Sequence, residues 1–134
     1  MAKVKVVDSW AVLAWLQNEP AAARVDRLLQ DAHAGTLLLR MSWYNAAETF
    51  YILAKRGNLA TAEDFIRFLP MLPVGVVLPD ESGIIAAARV KATHPVAFGN
   101  AFAIALAIEQ KASVVTGDPE IRRCRAVAVD WLGA

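Results

Sequence analysis

The sequence predicts an α/β fold built on a central, mostly parallel sheet of four to five short strands. Three observations carry that expectation. Short β-branched apolar runs alternate with longer segments whose apolar residues recur at helical spacing. The short runs are wholly apolar rather than alternating, so they are buried on both faces, as parallel strands between helices are. Hydrophobic residues make up 57% and charged residues 20% of the chain, against about 45–50% and about 25% in ordinary soluble domains. That is enough for a full core, with apolar surface left over for a subunit interface.

The elements follow in order. Residues 4–7 form the first strand. Residues 10–17 place Val12, Leu13 and Leu16 at helical spacing, and Glu19-Pro20 breaks that helix. Residues 21–34 form a second helix, with Val25, Leu28 and Leu29 facing inward, ended by Gly35. Residues 36–40 are the second strand. Ser42 caps a third helix that runs through Glu48 to about Arg56 and stops at Gly57. Thr61-Ala-Glu-Asp64 resembles a capping box and opens a fourth helix as far as Leu69. Pro70 and Pro73 bracket a turn, and residues 74–78 are the third strand. Asp80 caps a helix through Thr93, which His94-Pro95 breaks; residues 98–111 form another helix. Residues 113–116 are the fourth strand, Gly117-Asp118-Pro119 is a turn, and residues 126–129 are the fifth strand.

Length and composition narrow the class. The 134 residues suit a single domain over 1–134. The longest apolar runs, such as 101–108, fall well short of the ~20 residues that span a bilayer, so no membrane partner is expected. The start of the chain lacks signal-peptide architecture, because Asp8 interrupts its apolar run. The lone Cys124 rules out an intrachain disulfide framework or a cysteine-ligated zinc site. A cytoplasmic setting is the expectation. A net charge of +1 does not suit a dedicated duplex-DNA binder, so nucleic-acid contact has to come from a local patch.

Two of the apolar strands run into an aspartate: Val6-Val7 into Asp8-Ser9, and Val114-Val115 into Thr116-Gly-Asp118. In a parallel sheet both acids lie at the carboxyl edge, where ligands bind. Glu48 interrupts a helix that otherwise carries Ala46, Ala47, Phe50, Ile52 and Leu53. Three clustered carboxylates repel one another, so either a cation relieves them or a pKa rises until one is neutral. Hard oxygen ligands suit Mg²⁺ or Mn²⁺. Asp8, Glu48 and Asp118 are the candidate ligands, with Ser9 and Thr116 orienting a water or a carboxylate. Each acid alone also has an ordinary reading, as a helix cap, a turn residue or a partly exposed helix acid. A receiver or hydrolase domain of the same fold class is disfavoured. No lysine follows a late strand, and there is no Gly-rich phosphate loop or nucleophile elbow.

Val-Val-Asp8-Ser, Asn45-Ala-Ala-Glu48 and Val-Val-Thr116-Gly-Asp118-Pro together resemble the PIN domains, and among them the VapC-type toxins of bacterial toxin–antitoxin pairs. The resemblance covers nearly the whole chain. It implies a three-layer α/β/α fold and a Mg²⁺- or Mn²⁺-dependent endoribonuclease, often acting on transfer or ribosomal RNA. It also implies a homodimer inhibited by a small cognate antitoxin. Asp8, Glu48 and Asp118 match the family's acidic metal ligands, and Thr116 matches their polar companion.

One position departs. Such toxins carry a further acid where Phe98-Gly-Asn100-Ala-Phe-Ala has Asn100. Glu109 lies nine residues further along the helix, roughly 13 Å at ~1.5 Å per residue, and no acid lies between Glu81 and Glu109. A weakened site follows, either from a substitution that disarms the protein or in a natural variant. Asn100→Asp is expected to strengthen Mg²⁺ binding. The alternative is a catalytically impaired module that binds RNA or a protein partner. Trp10, Trp15, Trp43 and Tyr44 serve the core, an interface, base stacking or an antitoxin groove. Arg122, Arg123, Arg125, Lys55 and Arg56 are either phosphate contacts or a solvated face.

Overall fold

The computed structural model describes residues 2–134. Its elements run β1 (Lys3–Val7), α1 (Ser9–Leu16), α2 (Ala22–His33), β2 (Leu37–Ser42), α3 (Trp43–Lys55), α4 (Leu59–Phe68), β3 (Val74–Val77), α5 (Glu81–Thr93), α6 (Phe98–Gln110), β4 (Ser113–Thr116), α7 (Pro119–Arg123) and β5 (Val129–Trp131). A 3₁₀ turn over Leu69–Met71 joins α4 to β3. The five strands form one sheet in the order β3-β2-β1-β4-β5, and every pair is parallel.

Apolar runs become strands here because both faces of the sheet are covered. Val6 and Val7 are adjacent in β1, point to opposite faces and are both buried. Val6 joins Val114, Ala87, Ile104 and Ile121 in the core under α5, α6 and α7. Val7 joins Val115, Val12, Val25, Leu39 and Phe65 in the core under α1, α2 and α4. A smaller cluster of Leu13, Leu53 and Ala62 ties α1, α3 and α4 together. The architecture is therefore the three-layer α/β/α arrangement. Helix α6 is sealed from Ala101 to Ala107, as its all-round apolar sequence requires.

Three boundaries differ from the sequence reading. Helix α4 begins at Leu59, so Thr61 lies inside it and opens no capping box; Asn58 occupies the cap position without a side-chain bond. The Gly117-Asp118-Pro119 turn continues into α7, with Asp118 as its N-cap and Pro119 in its first turn. The last strand covers Val129–Trp131 rather than 126–129, because Thr116 and Val115 register with Trp131 and Asp130.

The topology fixes where a site can form. From β1 the chain winds outward to β2 and β3, then crosses back to β4 on the other side of β1. The sheet order reverses between β1 and β4, and the crevice beyond their carboxyl ends is where such sheets bind ligands. The register brings Val7 beside Val115. The residues that follow them, Asp8 and Thr116, stand at that crevice.

Candidate functional site

Asp8 follows β1 and caps α1: its Oδ1 accepts the backbone N–H of Ala11 at 2.9 Å. Its Oδ2 accepts the hydroxyl of Thr116, the last residue of β4. Thr116 Oγ1 in turn accepts the backbone N–H of Asp118 at 2.9 Å. One hydroxyl thus links the two strand-end acids, and both Asp8 and Thr116 are buried. Burial raises the Asp8 carboxyl to about 7, and the charges of Asp118 and Glu48 push in the same direction; the bonds from Thr116 and Ala11 offset part of this. The three acids therefore share one electrostatic environment.

Glu48 reaches the crevice from α3. Its Oε1 accepts the Ser9 hydroxyl at 2.6 Å and the Asn45 side-chain amide at 3.3 Å. Asn45 and Glu48 are one helical turn apart, so both point the same way. The Asn45 amide also donates to the carbonyl of Gly99 at 2.9 Å, which ties α3 to the first turn of α6. Gly99 leaves room for the Glu48 carboxylate, which a side chain at 99 would displace. A Cβ there would lie 2.3 Å from Glu48 Oε2.

Asn100 sits one residue further along α6. Its Nδ2 donates to Asp118 Oδ2 at 3.0 Å and to Glu120 Oε1 at 2.7 Å. Glu120 Oε1 also accepts the backbone N–H of Ala97 at 2.5 Å, which caps α6 from outside the helix. The other oxygen of Asp118 accepts the Glu120 backbone N–H at 2.9 Å. Glu120 and Asn45 are the site residues that sequence reasoning missed. A signal existed for each: Glu120 follows Asp118-Pro119, the opening of a helix, and Asn45 lies three residues before Glu48. The acid nearest Asn100 comes from α7 and not from α6.

The donor chemistry fits a hard divalent cation. The charged groups of the crevice are carboxylates, and their mutual repulsion adds to the effect of burial at Asp8. Asn45 Oδ1 is buried without a hydrogen-bond partner, an acceptor that a water would satisfy. In distance the fit is incomplete. Among the described residues, no three His, Cys, Asp or Glu side chains stand close enough to hold an ion together. Glu48 is held by Ser9 and Asn45, and Asp118 by Asn100.

The aromatic and basic residues take several places in the fold. The Trp10 ring packs so closely on Gly117 that a Cβ there would lie 2.2 Å from it. Trp15 lines the core beside α2, whereas Trp43 is partly exposed. Tyr44 stacks on Phe102 with centroids 4.3 Å apart. Arg122 lies over Trp131, Lys55 over Tyr51, and Arg56 donates to Gln17. Arg123 and Arg125 line a cavity of about 390 Å³ that Glu120 also borders. No helix among the described residues is long and apolar enough to cross a membrane.

Residues 5–127 match the family model of the PIN domain. No curated protein matches the sequence. Among solved structures the fold is similar to VapC20 of Mycobacterium tuberculosis, described as a sarcin-ricin loop cleaving toxin. The TM-score is 0.73 at 16% identity, covering 88% of this chain and 92% of that one. It is similar also to DNA-bound VapBC from Salmonella typhimurium, with a TM-score of 0.70, 21% identity, and coverage of 98% and 99%. A third is VapBC2 of Rickettsia felis bound to a promoter DNA fragment, with a TM-score of 0.71, 11% identity, and coverage of 95% and 97%. At these identities the likeness is one of fold.

Proposed function

The chain belongs to the PIN-domain family, and on that premise we propose that it is a Mg²⁺- or Mn²⁺-dependent endoribonuclease, the toxin of a toxin–antitoxin pair. The observation that carries this reading is the junction of Asp8, Thr116 and Asp118 at the point where the sheet order reverses, with Glu48 close enough to raise Asp8 further. Such a junction suits a phosphodiester held over a cation. The likeness to a toxin described as cleaving the sarcin-ricin loop supports RNA as the substrate, in the class of structured transfer or ribosomal RNA. The likeness to VapBC complexes supports a small cognate antitoxin as partner. A homodimer and a cytoplasmic setting belong to the same proposal.

Asp8, Glu48 and Asp118 would hold the ion, which when bound lowers the pKa of a water and polarises a phosphoryl oxygen. The chain's own residues prepare the site. Thr116 orients the Asp8 carboxylate, Ser9 and Asn45 orient Glu48, and the Asn100 amide orients Asp118. Asp8 must give up its proton for the ion, so near neutral pH cation and proton compete for it. With an amide at position 100 the site has one ligand fewer than its relatives, and weakened catalysis is part of the proposal.

A second reading is favoured by the spacing of the carboxylates, which as placed do not share an ion. It is a catalytically impaired PIN module that binds RNA or a protein. Incubating the protein, its Asn100→Asp form and an Asp8→Asn control with structured RNAs and Mg²⁺ or Mn²⁺ separates the two. Cleavage that EDTA abolishes, that rises in Asn100→Asp and vanishes in Asp8→Asn, is the expected outcome. Metal-independent RNA binding without cleavage in any form would select the second reading.

A further inference from the structure

We propose that Glu120 is a positioning residue of this site, acting through Asn100 to hold Asp118 in place before any cation binds. The inference rests on the reading of Asp118 as a cation ligand, and it gives Asn100 a purpose that a lost acid would not have.

An amide NH₂ group has two N–H bonds to give. At Asn100 both are committed to carboxylates, one to Asp118 at 3.0 Å and one to Glu120 at 2.7 Å. An aspartate at position 100 would have neither donor, and ionised it would add a third carboxylate where two already meet. The amide therefore does for Asp118 and Glu120, without a cation, what a cation does for clustered acids: it draws them together. Glu120 fixes the amide by accepting from it through the oxygen that also accepts from Ala97 at the start of α6. That end of the helix carries the positive end of its dipole, which favours an ionised partner. The Glu120 backbone N–H holds the other oxygen of Asp118. One oxygen of Asp118 is thus held by an amide that the Glu120 side chain fixes, and the other by a backbone N–H that any residue at 120 supplies; residues supporting a metal ligand as that side chain does typically matter about 10–100-fold for affinity.

The test separates the latch from the metal. In EDTA, the side-chain amide protons of Asn100 are followed by ¹⁵N NMR. Slow solvent exchange is expected in the wild type and at least about tenfold faster exchange in Glu120→Ala, with most of the protection recovered in Glu120→Gln, whose amide oxygen accepts the same bonds. Calorimetric titration with Mn²⁺ alone is the second arm. Glu120→Ala should weaken binding by about tenfold, Glu120→Gln should recover most of it, and Glu120→Ala should cost nothing further in an Asn100→Ala background. That non-additivity is the signature of one residue acting through the other, which a general loosening of α6 would not give. Unchanged amide exchange in Glu120→Ala, additive losses, or a Glu120→Gln form as weak as Glu120→Ala would overturn the proposal. A wild type that protects the amide yet takes up no Mn²⁺ would uphold the latch and defeat the metal reading instead.

Discussion

Asp8 is asked to do two things that conflict. It caps α1, for which a neutral or charged oxygen serves, and it sits buried beside two other acids, where its charge is costly. Its carboxyl therefore stays protonated up to about pH 7 in the folded chain, against 3.8 when exposed. Between those values the folded state holds a proton that the unfolded state has lost, so stability falls as pH rises from about 4 to 7 and is level above that. At ~1.4 kcal/mol per pH unit the full span is on the order of 4 kcal/mol. An asparagine keeps the oxygen that caps Ala11 and carries no charge. In EDTA, Asp8→Asn should melt progressively higher than the wild type as pH is raised from 4 to 7, with the gap constant beyond. A gap that shrinks with pH, or is flat, would show that Asp8 ionises freely. Added Mg²⁺ should reverse the ranking at high pH, because only the carboxylate form gains from the ion.

The first turn of α6 is where the site depends most on a single element. Gly99 lets α6 approach α3 closely enough for its carbonyl to take the Asn45 amide and for Glu48 to lie against its Cα. Gly99→Ala would force the Glu48 carboxylate away from Ser9. The change gains at most about 1 kcal/mol of helix propensity and loses about as much in hydrogen bonding. The melting temperature should thus barely move, while Mn²⁺ affinity drops by about tenfold. A large loss of stability with unchanged affinity would mean that Glu48 has no part in the site. At this scale the sequence was readable wherever an element is long or sealed. The central strands and α2, α3, α5 and α6 lie within a residue or two of their apolar patterns. Helix α7 is five residues long, too short for periodicity, although Asp118-Pro119-Glu120 spells a helix start. Strand β5 carries Asp130 and Trp131 at the sheet edge, so its pattern is not that of a buried strand. Asp8, Glu48 and Asp118 stand out as candidates in the sequence because apolar neighbours make an acid conspicuous. Glu120 was not, because its meeting with Asn100 depends on how α7 packs on α6.

Over the whole molecule, a chain with 57% hydrophobic residues leaves apolar surface that neither core absorbs. Part of it lies around the groove between α5 and α6, which Leu78, Phe102 and Ala105 line and where Leu78 is 78% exposed. Tyr44 and Phe98 extend it, half-exposed and packed on Phe102. A standard interface covers roughly 800 Å² per partner, about a tenth of the 7505 Å² that this chain exposes. A symmetric dimer through this face would bury the groove of each copy under the other. Sedimentation at micromolar concentration should then give twice the 14.5 kDa chain mass. Leu78→Asp puts a charge on the groove wall without touching either core, so folding stability should shift by no more than about 0.5 kcal/mol while the species becomes monomeric. Met71, 70% exposed in the turn before β3, lies at the other end of that strand from Leu78, and Met71→Asp should stay dimeric. A wild type that is monomeric would defeat the dimer, and a dimer broken by Met71→Asp and not by Leu78→Asp would move the interface to the α4 side. The contrast between the two variants makes the test one of location as well as of association, because both remove a similar exposed side chain and add the same charge.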